Sequence, residues 1–423
     1  MDFRTLPEGP LTLANVTAPA CLLGQDGDLL RTDLHIADGR ISDRPAARID
    51  MAGAMVLPCF TDMHTHLDKG HVWPRAANPD GTFAGALNAV RSDHSNWSTG
   101  DLRARMSFGL ACAYAHGTRA IRTHLDSIPP QPQISWPLFA ELRSDWAGRI
   151  DLQGVCLIGC EQFSEEGDFR VTADLVAEHR GVLGMVTYPV PDLEARLNGF
   201  FRMATARGLD ADFHVDETMD PTSESLRLIA KIVLKTGFAG RVTVGHCCSL
   251  STQDSTRALD TLDLVARAGL HVVSLPMCNL YLQDRVDGDG VRTPRQRGVT
   301  LVHEMRARGI PVSFASDNTR DPFYAYGDLD MLEVMRQATR ITHLDHSRDD
   351  WVTAFTTQPT ETCGFDPQTL SPGAPADLVI FRAREWTELY ARPQADRIVM
   401  RKGRAIDRSL PDYATLDHLW ETP

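Results

Sequence analysis

Four short apolar segments of this chain each end in side chains that can bind a metal ion or carry a proton. These side chains are, in chain order, His64 and His66, then His214 and Glu217, then His246, then Asp317 and Asn318. Two histidines at positions i and i+2 of an extended segment point to the same side, so the imidazoles of His64 and His66 can bind one ion. The sequence therefore predicts a metal site built on this pair.

The ligand types favour particular ions. A third histidine and an aspartate from other segments would give three nitrogens and one oxygen, a donor set that suits Zn²⁺ or Fe²⁺ and does not suit Mg²⁺ or Ca²⁺. Spacing alone leaves open whether His246 is a ligand. An ion with one open position makes hydroxide available at neutral pH, and that chemistry needs a proton shuttle. Glu217 lies three residues beyond His214 and can serve as one, while His246 and Asp317 can hold or accept the proton of the water.

The segments belong to a repeated pattern in which a short apolar strand precedes a polar loop and a helix-length stretch. We predict eight strands: Met55–Phe60, Thr118–Thr123, Asp151–Ile158, Gly184–Tyr188, Asp210–His214, Val242–His246, His271–Leu275 and Val312–Ser316. The helices predicted between them include Leu102–His116, Trp136–Trp146, Leu193–Arg207, Ser223–Thr236, Thr256–Ala268 and Thr300–Arg308. This alternation is typical of an α/β protein with a (β/α)8 TIM barrel, whose active site lies at the carboxyl ends of the strands.

The two chain ends have a different character. Residues 1–57 and 368–423 contain only short strand candidates separated by turns, too few at either end to bury a core alone. We therefore predict that both ends combine into one small β-sandwich domain, and that residues 58–367 form the metal-dependent catalytic barrel.

The position of lysine residues bears on the number of metal ions. Two-metal versions of such a barrel need a bridging ligand from the fourth strand, commonly a carboxylated lysine. The chain has no lysine between Lys69 and Lys231, so we predict one ion per chain. Asp68 and Lys69 are interpreted as groups of the loop or as neighbours of the ligands, rather than as ligands, and His124, at the end of the second strand, as a candidate neighbour of the ligands.

Several motifs together resemble the amidohydrolase superfamily, and within it the bacterial cytosine deaminase group. They are residues 57–68, 122–126, 214–217, 245–246, 280–285 with 297–300, Asp317 followed by 321–323, and 372–379. The resemblance implies a metal site of His64, His66, His214 and Asp317. It also implies that Glu217 is the proton shuttle and that His246 forms a hydrogen bond to the hydroxide.

Some positions depart from that group. Gly159 and Asn318 stand where cytosine deaminases carry a glutamine and an aspartate, and Phe323 replaces a tryptophan. With Phe83, they are our candidates for substrate binding, and we expect Phe83 or Phe323 to pack on the ring. We expect hydrolytic deamination of an amino-substituted nitrogen heterocycle, cytosine or a 5-substituted cytosine such as 5-methylcytosine, with a ring bulkier than cytosine accepted at least as well. The alternatives are a triazine N-alkylamine hydrolase or a cyclic amide hydrolase of the same fold.

Composition narrows the partners. The 423 residues carry a net charge of −13 with no basic stripe, which argues against nucleic acid or an anionic membrane as a partner. No apolar run is long enough to span a bilayer, and nine cysteines without a C-x-x-C pair favour reduced thiols in the cytoplasm. We expect a homo-oligomer that binds a small heterocyclic substrate. A non-catalytic scaffold is the opposing hypothesis, and the complete set of ligands argues against it.

Overall fold

The structure, a computed structural model, describes residues 6–286, 291–347 and 350–420. Its strands are β1 (Leu11–Pro19), β2 (Leu29–Ala37), β3 (Arg40–Ser42), β4 (Ala47–Asp50), β5 (Met55–Pro58), β6 (Phe60–Thr65), β7 (Thr118–Asp126), β8 (Asp151–Leu157), β9 (Leu183–Thr187), β10 (Ala211–Val215), β11 (Val242–His246), β12 (His271–Ser274), β13 (Val312–Phe314), β14 (Leu378–Phe381), β15 (Ile398–Arg401) and β16 (Arg404–Ala405). Its α-helices are α1 (Phe83–Asp93), α2 (Thr99–His116), α3 (Pro132–Asp145), α4 (Asp168–Glu178), α5 (Leu193–Arg207), α6 (Ser225–Thr236), α7 (Ser255–Arg267), α8 (Pro276–Leu282), α9 (Val302–Arg306), α10 (Met331–Thr342), α11 (Thr357–Cys363) and α12 (Trp386–Ala391).

Strands β6 to β13 form a ring of parallel strands. β6, β7 and β8 pair in one sheet, and β9 to β13 pair in another. Isolated bridges close both gaps: Val155–Val182 and Gly159–Val186 join β8 to β9, and Thr65–Asp317 joins the end of β6 to the residues after β13. Every residue of β6, β7, β10 and β11 is buried, as expected for parallel strands that are covered on both faces. The chain thus has a mixed α/β fold with a TIM-barrel-like arrangement, as predicted.

The first barrel strand lies further along the chain than predicted. The predicted strand Met55–Phe60 divides at Cys59, whose N–H donates to the carbonyl of Asp377. Before this point, β5 pairs antiparallel with β14, and after it β6 pairs with β7 in the barrel. The apolar run concealed this change of partner, because both strands are completely buried.

Both chain ends enter one sheet. Its strand order is β16-β15-β14-β5-β1-β2-β3, and β4 pairs with β1, which makes eight strands in all. β1 pairs with three strands: β2 runs antiparallel along it, with a register shift between Leu13 and Val16, while β4 pairs parallel with Leu11–Ala14 and β5 pairs parallel at Thr17. The ends therefore combine as expected into one hydrogen-bonded sheet, whereas a sandwich and the exact domain boundaries stay predictions.

Two helices outside the set predicted above lie near the carboxyl ends of the barrel strands. α1 begins at the cap residue Thr82, whose side chain accepts a hydrogen bond from Gly85 N–H. α8 begins with Pro276 at its first position, which suits a residue without an N–H group. Within the part of the chain that the structure describes, no helix combines the length and the apolar character that crossing a bilayer requires.

Candidate active site

Three imidazoles and one carboxylate meet at one end of the ring. The Nε2 atom of His214 lies 3.1 Å from Nε2 of His64 and 3.3 Å from Nε2 of His66. Asp317 Oδ1 lies 3.6 Å from Nε2 of His64 and 3.2 Å from Nε2 of His66. The structure therefore brings the four predicted ligands together around one point.

This cluster fits a divalent ion better than it fits a hydrogen-bond network. Neither oxygen of Asp317 accepts a hydrogen bond from an N–H or O–H group of the described residues, although both are buried. Burial, followed by the charge of neighbouring imidazoles, lowers the pKa of His64 and His214 well below their ordinary value, so these imidazoles are neutral and can offer lone pairs. A buried carboxylate facing three neutral imidazoles matches the donor set of Zn²⁺ or Fe²⁺.

The backbone turns sharply where the site residues leave their strands. Asp216, His246 and Asp317 have φ angles of 47°, 67° and 66°, a left-handed conformation that is unusual for residues other than glycine. Asp216 holds its turn by accepting hydrogen bonds from Ser223 Oγ and from the first N–H groups of α6. Asp317 N–H donates to the carbonyl of His64 at 2.9 Å, which fixes the carboxylate beside the histidines. Strained residues of this kind commonly lie at functional sites.

Glu217 and His246 lie side by side at the same end of the ring. Glu217 Oε1 lies 3.3 Å from His246 Nδ1, and both side chains line the cavity that also reaches Asp317. Burial, followed by the negative charge of Asp317, raises the pKa of Glu217 well above its ordinary value. Burial lowers the pKa of His246 to about 3, so its ring is neutral. A carboxyl group with a raised pKa beside a neutral imidazole is a suitable pair for moving protons.

His124, the predicted candidate neighbour, lies beside the ligands. Its ring centroid is 4.0 Å from that of His64, and its Nε2 lies 3.1 Å from Asp212 Oδ1. Arg122 also donates to that carboxylate, at 2.9 Å. With Nε2 engaged, the buried Nδ1 of His124 has no partner among the described residues. A fourth imidazole thus borders the cluster of three histidines and Asp317.

Lys69 lies beside the site as a neighbour of the ligands, one of the two places that the sequence predicted for it. Its Nζ lies 2.7 Å from Asp126 Oδ1 and 3.5 Å from His66 Nδ1. His94 contacts the other oxygen of Asp126 at 3.0 Å. Lys69 is therefore paired with a carboxylate, and the fourth barrel strand, β9, still offers no lysine to bridge two ions.

The cavity above the cluster has aromatic and aliphatic walls. Phe83, at the start of α1, meets Phe323 edge to face, with ring centroids 5.4 Å apart. Leu87, Val90 and Ile128 extend the apolar surface. Such walls suit a flat heterocycle, with a few polar groups left to orient it. The predicted substrate-binding residues Phe83, Gly159, Asn318 and Phe323 all line this cavity.

The space beside Gly159 is occupied. A Cβ atom at Gly159 would lie 2.2 Å from Glu161 Oε2, and this carboxylate accepts a short hydrogen bond from Tyr188. The amide of Asn318 is engaged too, because its Nδ2 donates to Asp321 Oδ2 at 2.7 Å. Extra room for a substrate therefore depends on movement of the exposed Glu161 side chain.

Comparison with known proteins places the chain in a family. The profile of the amidohydrolase family matches residues 167–405. The pterin deaminase of Rhizobium rhizogenes (strain K84 / ATCC BAA-868) is 53% identical over 420 residues, which cover 96% of this chain and 95% of that protein. The N-isopropylammelide isopropyl amidohydrolase of Pseudomonas sp. (strain ADP) is 24% identical over 384 residues, or 87% of this chain and 89% of that protein. The chain belongs to the amidohydrolase family, which confirms the predicted membership.

Solved structures agree on the fold. The 5-methylcytosine deaminase from Klebsiella pneumoniae, liganded with 5-fluorocytosine, superimposes with a TM-score of 0.78 at 23% identity, covering 95% of this chain and 98% of that one. The N-isopropylammelide isopropylaminohydrolase from Burkholderia multivorans superimposes with a TM-score of 0.72 at 26% identity, covering 94% of this chain and 98% of that one. With the deaminase relative at 53% identity, the protein is a hydrolase that acts on C–N bonds.

Proposed function

We propose that this protein is a hydrolytic deaminase of pterins, which replaces the amino group of a 2-amino-4-oxopteridine ring by oxygen and releases ammonia. The observation that carries the proposal is the 53% identity to a pterin deaminase across 96% of the chain. The predicted reaction type, hydrolytic deamination of an amino-substituted heterocycle, is kept. The predicted substrate changes from a pyrimidine to a bicyclic ring that contains a similar amidine unit.

The proposed metal ligands are His64, His66, His214 and Asp317, holding one Zn²⁺ or Fe²⁺ per chain. The mutual approach of the three Nε2 atoms supports this assignment, as do the buried Asp317 oxygens, which have no N–H or O–H partner among the described residues. A divalent ion bound there would supply hydroxide near neutral pH, since such ions lower the pKa of water. The protein's own residues then need to seat the ring with its C2 atom at this point and to move protons.

Proton movement is the proposed role of Glu217, His246 and Asp317. Water adds to C2 while the Glu217 carboxyl gives a proton to the adjacent ring nitrogen, so that C2 becomes tetrahedral. Asp317 takes one proton of the attacking water, and the N–H group of His246 can donate a hydrogen bond to the added oxygen. Glu217, now a carboxylate, takes the remaining proton of the added hydroxyl group and passes it to the amino group. The C2–N bond breaks as the C2=O bond forms, ammonia leaves and the 2,4-dioxo ring remains, and the proton on Asp317 returns to Glu217. The contact of 3.3 Å between Glu217 Oε1 and His246 Nδ1 supports a shared role.

The ring is proposed to lie against the wall formed by Phe83 and Phe323 together with the apolar residues of α1. Phe83 is 36% exposed, so it stands at the entrance, whereas Phe323 is 9% exposed and forms the inner wall. A bicyclic ring covers more of this surface than a pyrimidine does, which favours the larger substrate.

Side-by-side kinetics test the proposal. Purified protein loaded with Zn²⁺ or Fe²⁺ is given pterin, cytosine, 5-methylcytosine and N-isopropylammelide, and ammonia or isopropylamine release is measured. We expect kcat/KM for pterin to exceed that for cytosine by about 10²-fold or more, within the range that polar readout can provide. A clear preference for a pyrimidine would restore the cytosine prediction, and isopropylamine release as the main activity would support the triazine alternative.

A further inference from the structure

A buried amide on α8 contacts both Glu217 and His246. Asn279 is 1% exposed, and its Nδ2 lies 3.2 Å from Glu217 Oε1 and 3.0 Å from His246 Nδ1. It stands behind these two residues rather than in the cavity wall. Any influence of Asn279 on the reaction must therefore act through the two side chains that it touches.

The hydrogen-bond directions follow from the atom types. An amide NH₂ group carries two hydrogens, so Nδ2 can donate one to the Glu217 oxygen and one to the His246 ring. In the opposite orientation, the amide oxygen of Asn279 could donate to neither. A neutral imidazole that accepts a hydrogen bond at Nδ1 carries its proton on Nε2. Nε2 of His246 is buried and has no partner among the described residues, so this N–H group is available to the reacting oxygen.

Gln283, the cap residue at the carboxyl end of α8, holds the same glutamate by its backbone. Gln283 Nε2 donates to the carbonyl of Glu217 at 3.2 Å, and Gln283 N–H donates to the carbonyl of Asn279 at 2.9 Å. Residues four apart on a helix share one face, so α8 presents both amides to the loop after β10. The carboxyl and the backbone of Glu217 are thus fixed by one helix.

We infer that Asn279, supported by Gln283, is a positioning residue that orients the Glu217 carboxyl and keeps His246 in the tautomer with its proton on Nε2. The inference rests on the proposed roles of Glu217 and His246 in the deamination. It assigns to α8 a part in catalysis that needs no contact with the substrate.

Two substitutions of Asn279 separate this role from ordinary packing. Asn279→Ala removes both hydrogen bonds, and we expect kcat to fall about 10- to 100-fold, as for other residues that orient groups in contact with the reaction, with KM and metal content unchanged. Asn279→Asp keeps the shape but turns the donor into an acceptor, so we expect a larger loss of kcat than in Asn279→Ala. If the residue only filled space, the isosteric aspartate would be the milder change, and that order would overturn the inference.

A spectroscopic readout is independent of any substrate. In metal-loaded protein labelled with ¹⁵N-histidine, the His246 signals, assigned by their loss in His246→Asn, should report a proton on Nε2 in the wild type and its transfer to Nδ1 in Asn279→Asp. Unchanged signals would overturn the inference even if pterin is not the substrate. Leu280→Ala, at a residue 41% exposed on the same helix, is the matched control and should behave as the wild type in both measurements.

Discussion

The four proposed ligands show why close packing of polar atoms can specify an ion. The Nε2 atom of His214 lies within 3.3 Å of those of His64 and His66. A neutral imidazole has only one N–H group and one nitrogen that can accept a hydrogen bond, so hydrogen bonds among the three rings cannot provide every ring nitrogen with a partner. Leaving such atoms unpaired in the interior costs free energy. A divalent cation at their centre removes this cost, and it offsets the negative charge of Asp317 at the same time.

Removing one of these imidazoles should therefore remove the ion. For His66→Ala and His214→Ala we expect the metal content, measured by elemental analysis of the purified protein, to fall from about one ion per chain to a small fraction, with activity lost in parallel. Three remaining ligands bind an ion far less tightly than four. Two tightly bound ions per active wild-type chain would contradict the single-ion prediction drawn from the missing lysine.

Glu217→Gln is expected to act differently from the ligand substitutions. The amide has the shape of the carboxyl and keeps a contact to Asn279, but it cannot pass a proton. We expect metal content and the unfolding midpoint to stay at wild-type values while kcat falls about 10²–10⁴-fold, the usual contribution of a general acid–base group. Turnover near the wild-type rate would remove Glu217 from the mechanism.

The sequence predicted those site residues that lie at or just beyond the ends of the barrel strands. His64 and His214 lie in the last two residues of β6 and β10, His66 directly follows β6, and Asp317 lies three residues beyond β13. A parallel barrel must bring these ends together. Asn279 carries no such signal, because it lies on a helix whose docking against Glu217 depends on the tertiary fold. The ion pair between Lys69 and Asp126 likewise depends on the tertiary fold, so the sequence could place Lys69 near the ligands but could not name its partner.

Among the elements, helix α10 shows how the barrel is joined to the sheet made by the chain ends. Asp330 caps α10 by accepting the N–H of Leu332, and it also receives two hydrogen bonds from Arg397, at 2.7 and 2.6 Å. Arg397 directly precedes β15 and its side chain is only 2% exposed. Burial alone would raise the pKa of Asp330, but the guanidinium outweighs it and holds this pKa below its ordinary value.

Asp330→Asn should be strongly destabilising at neutral pH. Asparagine caps a helix as well as aspartate does, so the loss comes from the buried Arg397 charge left without its partner, about 3–5 kcal/mol in the free energy of unfolding. Because the pKa is lowered on folding, the stabilisation is present above the unfolded pKa of about 3.9 and is lost as the pH falls through the folded value. The difference in the free energy of unfolding between the wild type and Asp330→Asn should therefore become smaller below about pH 4.

Urea unfolding at several pH values measures this difference. The matched control is Asp254→Asn, because the exposed Asp254 caps α7 by accepting the N–H of Arg257 and has no buried cation beside it. We expect the control to change the free energy of unfolding by no more than about 0.5 kcal/mol. Equal losses in the two variants would show that the cap, not the ion pair, stabilises α10.

The positions of strands and helices were more predictable than the partners of the strands. β11 (Val242–His246) and α5 (Leu193–Arg207) have the predicted bounds. Arg241 precedes the first apolar pattern, and Asp192 and Gly208 flank the second. The run around Cys59 could not be divided correctly from sequence, because its apolar residues continue from β5 across Cys59 to Phe60, the first residue of β6. Likewise, the pairing of β1 with three strands has no simple sequence signal.

For the molecule as a whole, the barrel and the end sheet are joined by chain and by packing. Only Cys59 separates β5, in the sheet, from β6, in the barrel. The carbonyl of Gly117, in the turn between α2 and β7, accepts a hydrogen bond from the N–H of Phe60. Gly117 also packs against the sheet. A Cβ atom there would lie 2.6 Å from Val379 Cγ2 and 3.3 Å from Val399 Cγ2. We infer that the two units unfold together, because a disturbance at this contact strains both.

Gly117→Ala measures this coupling. Gly117 has a φ of 98°, so alanine is strained there by about 1–2 kcal/mol, and its methyl group must also displace the two valines at a further cost of about 1–3 kcal/mol. Gly208→Ala is the control: its φ is 64°, it ends helix α5, and nothing lies within 4 Å of the added methyl group. It should show the backbone strain alone. We expect Gly117→Ala to lower the free energy of unfolding more than the control does, in a single transition seen alike by fluorescence and circular dichroism. A separate early transition in Gly117→Ala would mean that the sheet can detach while the barrel stays folded.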